Sequence, residues 1–67
     1  MAKYEINEKD IDRIIAYIKL IDPKNATPEI AIAILEDEYA KYHVLDHNEP
    51  EILDALFYDV KKKKKIS

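Results

Sequence analysis

The sequence predicts an all-α fold, a small three-helix bundle, and three observations support this prediction. Apolar residues recur at helical spacing in three segments, and a residue able to cap a helix precedes each one. The connections between the segments hold roughly four to six residues, a length that favours antiparallel neighbours. We place the helices at about residues 8–21, 28–45 and 49–63.

The first predicted helix begins after Asn7, a good N-cap, and Asp10 follows three residues later as a weaker capping-box partner. Pro23 forces the residue before it out of helical geometry, so the helix ends at about Ile21 and residues 22–25 form a type I turn. Its buried face follows the i, i+3, i+4, i+7 rule and consists of isoleucines. These are Ile11, Ile14, Ile15, Ile18 and Ile21.

The second predicted helix opens with Thr27 as the N-cap, Pro28 at the first helical position and Glu29 at the positive end of the dipole. Its sequence carries two apolar sets on different faces. The wider set is predicted to be core and holds Ala31, Ile32, Leu35, Tyr39 and Tyr42. The second set is mixed with charged residues and holds Ile30, Ile34 and Leu45, with Asp37, Glu38 and Lys41 among them.

The second apolar set has two interpretations. The middle helix of a three-helix bundle contacts both neighbours and needs two apolar stripes. Alternatively, the second stripe is a docking surface for a partner. Both interpretations stay open at the level of sequence.

The third predicted helix starts at about residue 49, where Asn48 and Glu51 have capping-box spacing and Pro50 is tolerated in the first turn. Its predicted buried face consists of Ile52, Leu53, Leu56, Phe57 and Val60. A run of lysines lies at its C-terminal end.

Composition excludes several functional classes. With no cysteine the chain has no disulfide framework and no thiolate metal site, and with no glycine it has no glycine-rich phosphate loop. No apolar run approaches the roughly 20 residues that span a bilayer, and the charged start is unlike a secretory signal, so we expect a cytoplasmic protein. The charged fraction of 37% is typical of proteins from hot habitats or their viruses, and biased codon usage is the alternative explanation.

Charge divides the chain into two parts. Residues 1–60, predicted to form the three-helix domain, hold 14 acidic and 6 basic side chains, whereas residues 61–67 form a lysine-rich tail. The lysine run consists of Lys61, Lys62, Lys63, Lys64 and Lys65. Four interpretations apply to it. The first three are helix-end complementarity with solubility, a grip on nucleic-acid phosphates, and docking to an acidic protein. The fourth is folding of the tail onto the acidic surface of helix 2 in its own or a neighbouring chain.

No arrangement of residues predicts catalysis or metal binding. His43 and His47 have the i, i+4 spacing of a ligand pair, but two ligands do not make a metal site. Glu36, Asp37 and Glu38 point about 100° apart on a helix and are expected to be solvated rather than to converge on a substrate. We therefore predict no enzyme, no metal, no cofactor and no small-molecule substrate.

The sequence favours a non-enzymatic protein–protein interaction module, a small accessory subunit or regulator that docks through helix 2 or self-associates as a dimer. The predicted partner-binding residues are Ile30, Ile34, Asp37, Glu38, Lys41 and Leu45. The alternative is a nucleic-acid-associated protein that grips phosphates nonspecifically with the lysine run alone. No membrane partner is expected.

Overall fold

The computed structural model describes residues 6–43 and 49–65, and these form three α-helices. Helix α1 spans Glu8–Ile21, α2 spans Pro28–Tyr42 and α3 spans Pro50–Lys64. A single turn of 3₁₀ helix, Pro23–Asn25, lies between α1 and α2. The predicted all-α three-helix bundle is confirmed.

The first two helices begin where the sequence predicts, because local side chains cap their free N–H groups. Asn7 Oδ1 accepts a hydrogen bond from the Asp10 N–H at 2.9 Å, and Thr27 Oγ1 accepts one from the Ile30 N–H at 3.3 Å. Helix α3 instead begins with Glu49 as N-cap, without a side-chain cap bond. The predicted cap of α3, Asn48, lies outside the described residues.

The 3₁₀ turn between α1 and α2 stands where a type I turn was predicted. Both structures use an i to i+3 backbone hydrogen bond, here from the Asn25 N–H to the Asp22 carbonyl at 3.0 Å. The Asn25 side chain donates a further bond to Asp22 Oδ2 at 2.8 Å. These bonds fix the short connection through which the chain reverses direction.

Helix α2 ends at Tyr42, three residues before its predicted end. His43 adopts left-handed backbone geometry, with φ 62° and ψ 19°, and its N–H bonds the Tyr39 carbonyl at 2.8 Å. A left-handed residue terminates a helix by satisfying one of its last carbonyls, a position usually held by glycine. In this glycine-free chain a histidine takes that position, and Lys65 ends α3 in the same way with φ 56°.

The directions of the helices follow from the side-chain contacts between them. Asp37 of α2 meets Lys63 of α3, while Lys41 meets Asp59 nearer the start of α3, so α2 and α3 are antiparallel. Tyr17 of α1 bonds Asp54 of α3, and Asp22, just after α1, lies beside Lys61, so α1 and α3 run in parallel. Helix α2 packs against both of the others.

The core of the described chain confirms most of the predicted buried faces of α1 and α3. Ile11, Ile15 and Ile52 are half-buried against this core, and Ile21 is exposed. The buried members that these two helices contribute are Ile14, Ile18, Leu53, Leu56, Phe57 and Val60.

The predicted core face of α2 is wrong in part. Ala31 and Leu35 are buried as expected, but Ile32 and Tyr39 are only half-buried and Tyr42 is exposed. Ile30 and Ile34, from the second apolar set, are buried instead. The buried face is rotated from the predicted one because it must point between α1 and α3, and only their positions select it.

None of the helices in residues 6–43 and 49–65 is long and apolar enough to cross a membrane.

Candidate functional site

The predicted partner-binding residues of α2 lie in the core rather than on an open stripe. Ile30 and Ile34 are 5% and 1% exposed, because α2 as the middle helix packs on both neighbours. Asp37 is 6% exposed and Glu38 is fully buried, so the expectation that these two acids are solvated is wrong. Leu45 lies outside the described residues, and binding of a partner through this set remains a prediction.

Asp37 is the centre of a charge cluster between α2 and α3. The ammonium of Lys63 donates a hydrogen bond to Asp37 Oδ1 at 3.1 Å, and that of Lys41 lies 3.0 Å from Asp37 Oδ2, a charge contact without hydrogen-bond alignment. Lys41 also donates a hydrogen bond to Asp59 of α3. A nearly buried carboxylate requires such partners, because an unpaired charge is costly away from water.

The hydrogen bond between Lys41 and Asp59 shifts the pKa of both groups. It lowers the pKa of the Asp59 carboxyl and raises the pKa of the Lys41 ammonium, and Asp37 adds to the rise at Lys41. Both shifts favour the charged forms. The cluster therefore holds the C-terminal half of α3 against α2 as an ion-pair network.

A shallow groove of about 400 Å³ runs beside this cluster between α2 and α3. Its apolar lining is contributed by Ala33, Ala40 and Val60, and charged side chains from both helices border it. Those side chains are Glu36, Asp37, Lys63 and Lys64. With small side chains as its apolar lining, the groove offers little for a ligand to bury.

Two lysines of the run contact acids of their own chain, and the run itself continues α3 as far as Lys64. Besides the pair of Lys63 with Asp37, the Lys61 ammonium lies 3.7 Å from Asp22 and 5.2 Å from the centre of the Phe57 ring. Lys62, Lys64 and Lys65 are exposed. The contact of Lys63 with Asp37 is of the fourth predicted kind, because Asp37 belongs to α2, whereas Lys61 contacts an acid that follows α1.

The seam between α1 and α3 is fixed by the Tyr17 hydroxyl. It donates a hydrogen bond to Asp54 Oδ1 at 2.7 Å and lies 3.2 Å from the Pro50 carbonyl oxygen. Burial, the hydrogen bond to Asp54 and the negative charge of Asp54 together raise the pKa of Tyr17 to about 12. The phenol therefore stays neutral at physiological pH and acts as a structural donor.

Two large apolar side chains are exposed on the outer side of this seam. Leu20 is 83% exposed and Tyr58 is 62% exposed. Leu20 follows Tyr17 by one turn of α1, and Tyr58 follows Asp54 by one turn of the parallel α3, so each lies one turn beyond the Tyr17–Asp54 bond. Sequence patterning assigned neither residue a role; the available signal was a large apolar residue away from the buried stripe of its helix.

We call this area the α1–α3 seam surface and define it by Leu20, Tyr58 and the groove of about 410 Å³ beside Tyr58. The groove is lined by Asp54, Ala55, Phe57, Tyr58 and Lys61. A ring, an aliphatic side chain and flanking charges of both signs are the components of a small protein-docking surface.

Metal binding finds no support in the part of the chain that the structure describes, where no three histidine, aspartate or glutamate residues are grouped to hold an ion. The pair of His43 and His47 would share one face only on a continuous helix, but α2 already ends at His43, which has left-handed geometry. His47 lies outside the described residues.

Comparison with protein-family models, curated proteins and solved structures finds no match. A function must therefore be inferred from the surfaces themselves.

Proposed function

We propose that this chain is a non-enzymatic protein–protein interaction module, a small accessory subunit or regulator that docks on another protein chain through the α1–α3 seam surface. The observation that carries the proposal is the exposure of Leu20 and Tyr58, each one turn beyond the bond that joins α1 to α3. In the simplest case the other chain is a second copy of the protein.

A single exposed leucine would need no explanation, because folded proteins expose much apolar surface. Two large apolar side chains that are 83% and 62% exposed, in a domain whose residues are 37% charged, are apolar surface of the kind that interaction sites use. Covering them yields roughly 25 cal/mol per Å² of apolar area removed from water. Tyrosine is also enriched at protein interfaces because it joins a large apolar ring to a polar tip.

The seam surface is a better docking site than α2. The apolar residues first expected to meet a partner, Ile30 and Ile34, are buried in the bundle, and exposing them would require unfolding it. Leu20 and Tyr58 can be covered without any change in the fold.

Site-specific photo-crosslinking tests the proposal. A photoreactive phenylalanine analogue is placed at Leu20 or at Tyr58, and at exposed Glu36 on α2 as the control position. We expect defined adducts in cells and with the purified chain from the two seam positions, and few from Glu36. Equal adduct patterns at all three positions would contradict docking through the seam.

A second candidate function is a nonspecific grip on nucleic-acid phosphates, and the exposure of Lys62, Lys64 and Lys65 favours it. Its motivation is electrostatic, because each lysine that contacts phosphate releases counterions and makes the affinity depend steeply on salt.

The test of this second candidate compares two variants of equal charge. One neutralises the exposed lysines (Lys62→Gln, Lys64→Gln and Lys65→Gln), and the other neutralises exposed lysines of the body (Lys9→Gln, Lys19→Gln and Lys24→Gln). Phosphate binding by the tail predicts that only the first variant loses affinity for DNA or RNA at low salt. Equal losses, or no binding by the unmodified chain, would rule it out.

A further inference from the structure

We infer that the outward stripe of α3 pairs with the same stripe of a second copy, in an antiparallel two-fold dimer centred on Tyr58. This inference rests on the proposed function, since it names the partner at the seam surface. We call the stripe the α3 stripe and define it by Glu51, Asp54, Tyr58, Lys62 and Lys65.

The spacing of the α3 stripe is symmetric about Tyr58. Asp54 and Lys62 lie four residues to either side of the ring, and Glu51 and Lys65 lie seven residues to either side. Residues at offsets of four and seven share one side of a helix, so Glu51, Asp54, Tyr58 and Lys62 form a continuous line on α3, and Lys65 follows this line as the left-handed residue that ends the helix. All five are exposed, and none of them belongs to the buried core of the described chain.

The charge of the α3 stripe changes sign at its centre. Its N-terminal half is acidic and its C-terminal half is basic. A two-fold axis through Tyr58 that reverses the second helix brings Asp54 opposite Lys62 of the second copy, and Glu51 opposite Lys65 of the second copy. Such an interface is self-complementary, as a two-fold interface must be, whereas a parallel pairing would oppose like charges.

The same charges cannot satisfy one another within one copy. Glu51 and Lys65 are 14 residues apart, which is about 21 Å along a helix at 1.5 Å per residue. In the antiparallel register, Glu51 of one copy lies opposite Lys65 of the second copy, so the two charges can meet between copies. Charge complementarity therefore selects a second copy over an unrelated partner.

Two contacts within one copy restrict the motion of side chains of the α3 stripe before pairing. The Lys62 ammonium lies 5.2 Å from the centre of the Tyr58 ring, and the Tyr17 hydroxyl holds Asp54 in place. Ala55, which lines the groove beside Tyr58, is small enough to let two helices approach. Fewer side chains then lose freedom on association, which favours binding.

Sedimentation of the purified full chain over a range of concentrations tests the dimer through charge exchange. Glu51→Lys alone and Lys65→Glu alone each oppose like charges across the two-fold axis, so each should raise the dimer dissociation constant about tenfold. Mixing equal amounts of these two variants should restore association as a heterodimer. The double variant, with both substitutions in one chain, should restore the homodimer.

Circular dichroism verifies that each variant is folded. Restored association in the mixture or in the double variant also requires folded chains, so misfolding cannot explain it. Tyr58→Ser should weaken the dimer, whereas Tyr42→Ser, which alters an exposed tyrosine of α2, should not. Increasing salt should weaken the dimer of the unmodified chain, because exposed charges are screened.

Two results would overturn the inference: a monomer at every concentration of the unmodified chain, or no rescue in the mixture and in the double variant. The proposed function can be separated from it. Adducts to a different protein from Tyr58, together with a monomeric chain, would refute the dimer and leave the docking function intact. A monomer with no adducts at either seam position would refute both.

Discussion

At the scale of single residues, the environment of Asp37 differs sharply from its expected one. It sits in a run of three acids that sequence alone assigns to solvent, yet its side chain is nearly buried. Its partners Lys41 and Lys63 keep exposed ammonium groups, so they can return to water if the carboxylate is removed. The carboxylate carries most of the desolvation cost in this cluster.

Of two substitutions of Asp37, the one that changes the side chain more should therefore lower the free energy of unfolding less. Asp37→Asn keeps a buried polar group but loses its charge contacts, and should lower the free energy of unfolding by about 1 to 2 kcal/mol. Asp37→Leu removes the desolvation cost and adds apolar contact, so it should be less destabilising than Asp37→Asn. Urea unfolding at neutral pH measures both, and a greater loss for Asp37→Leu would contradict this account.

Tyr17 predicts a specific dependence of stability on alkaline pH. Its pKa rises from the ordinary 10.0 to about 12 in the folded chain, so folding favours the neutral phenol. The contribution of Tyr17 to stability is complete below pH 10 and is lost as pH rises towards 12. The stability difference between the unmodified chain and Tyr17→Phe should narrow over this interval in urea titrations. A constant difference would show that the Tyr17–Asp54 bond is not coupled to ionisation.

At the scale of helices, local capping determines where α1 and α2 begin. Asn7 and Thr27 each bond an N–H three residues ahead, a contact that needs no other part of the fold. The C-terminal end of α2 is less clearly specified, because the chain has no glycine to mark it and His43 takes the left-handed position.

The Thr27 cap gives a prediction at this scale. Thr27→Ala removes the acceptor for the Ile30 N–H and should lower the free energy of unfolding by about 1 kcal/mol. Thr27→Asp keeps an acceptor and places a negative charge at the positive end of α2, so it should retain stability. Thermal melts followed by circular dichroism compare the two, and equal melting temperatures would show that the cap contributes nothing.

At the scale of the whole molecule, the position of α2 between its neighbours explains both of its apolar sets. Ile34 is almost completely buried in the core of the bundle, while Ile32 is only half-buried. For a domain of 67 residues, a single core side chain is a large part of the total stability.

The isoleucines at 32 and 34 form a matched pair for testing this arrangement. Ile34→Ala should cost about 2 to 5 kcal/mol, as expected for truncation of a fully buried side chain, and should leave much of the chain unfolded. Ile32→Ala should cost distinctly less, because Ile32 is only half-buried. Urea unfolding of both variants measures the order, and the reverse order would favour the core face that sequence periodicity alone predicts.

The sequence by itself determined the fold class, the starts of α1 and α2 and the buried faces of α1 and α3. These features depend on contacts within one or two turns, which one-sided apolar spacing and capping residues encode directly. For α2 the sequence offered two apolar sets with no local reason to prefer either.

Only the tertiary structure decided which face of α2 is buried, that Asp37 is paired, and that α1 and α3 are joined by the bond between Tyr17 and Asp54. The deciding contacts join residues far apart in sequence: Lys63 reaches Asp37 across 26 positions, and Tyr17 reaches Asp54 across 37. Such contacts exist only once the relative placement of the helices is set. The proposed docking surface was missed for the same physical reason, because the seam that carries it forms only when α1 and α3 meet.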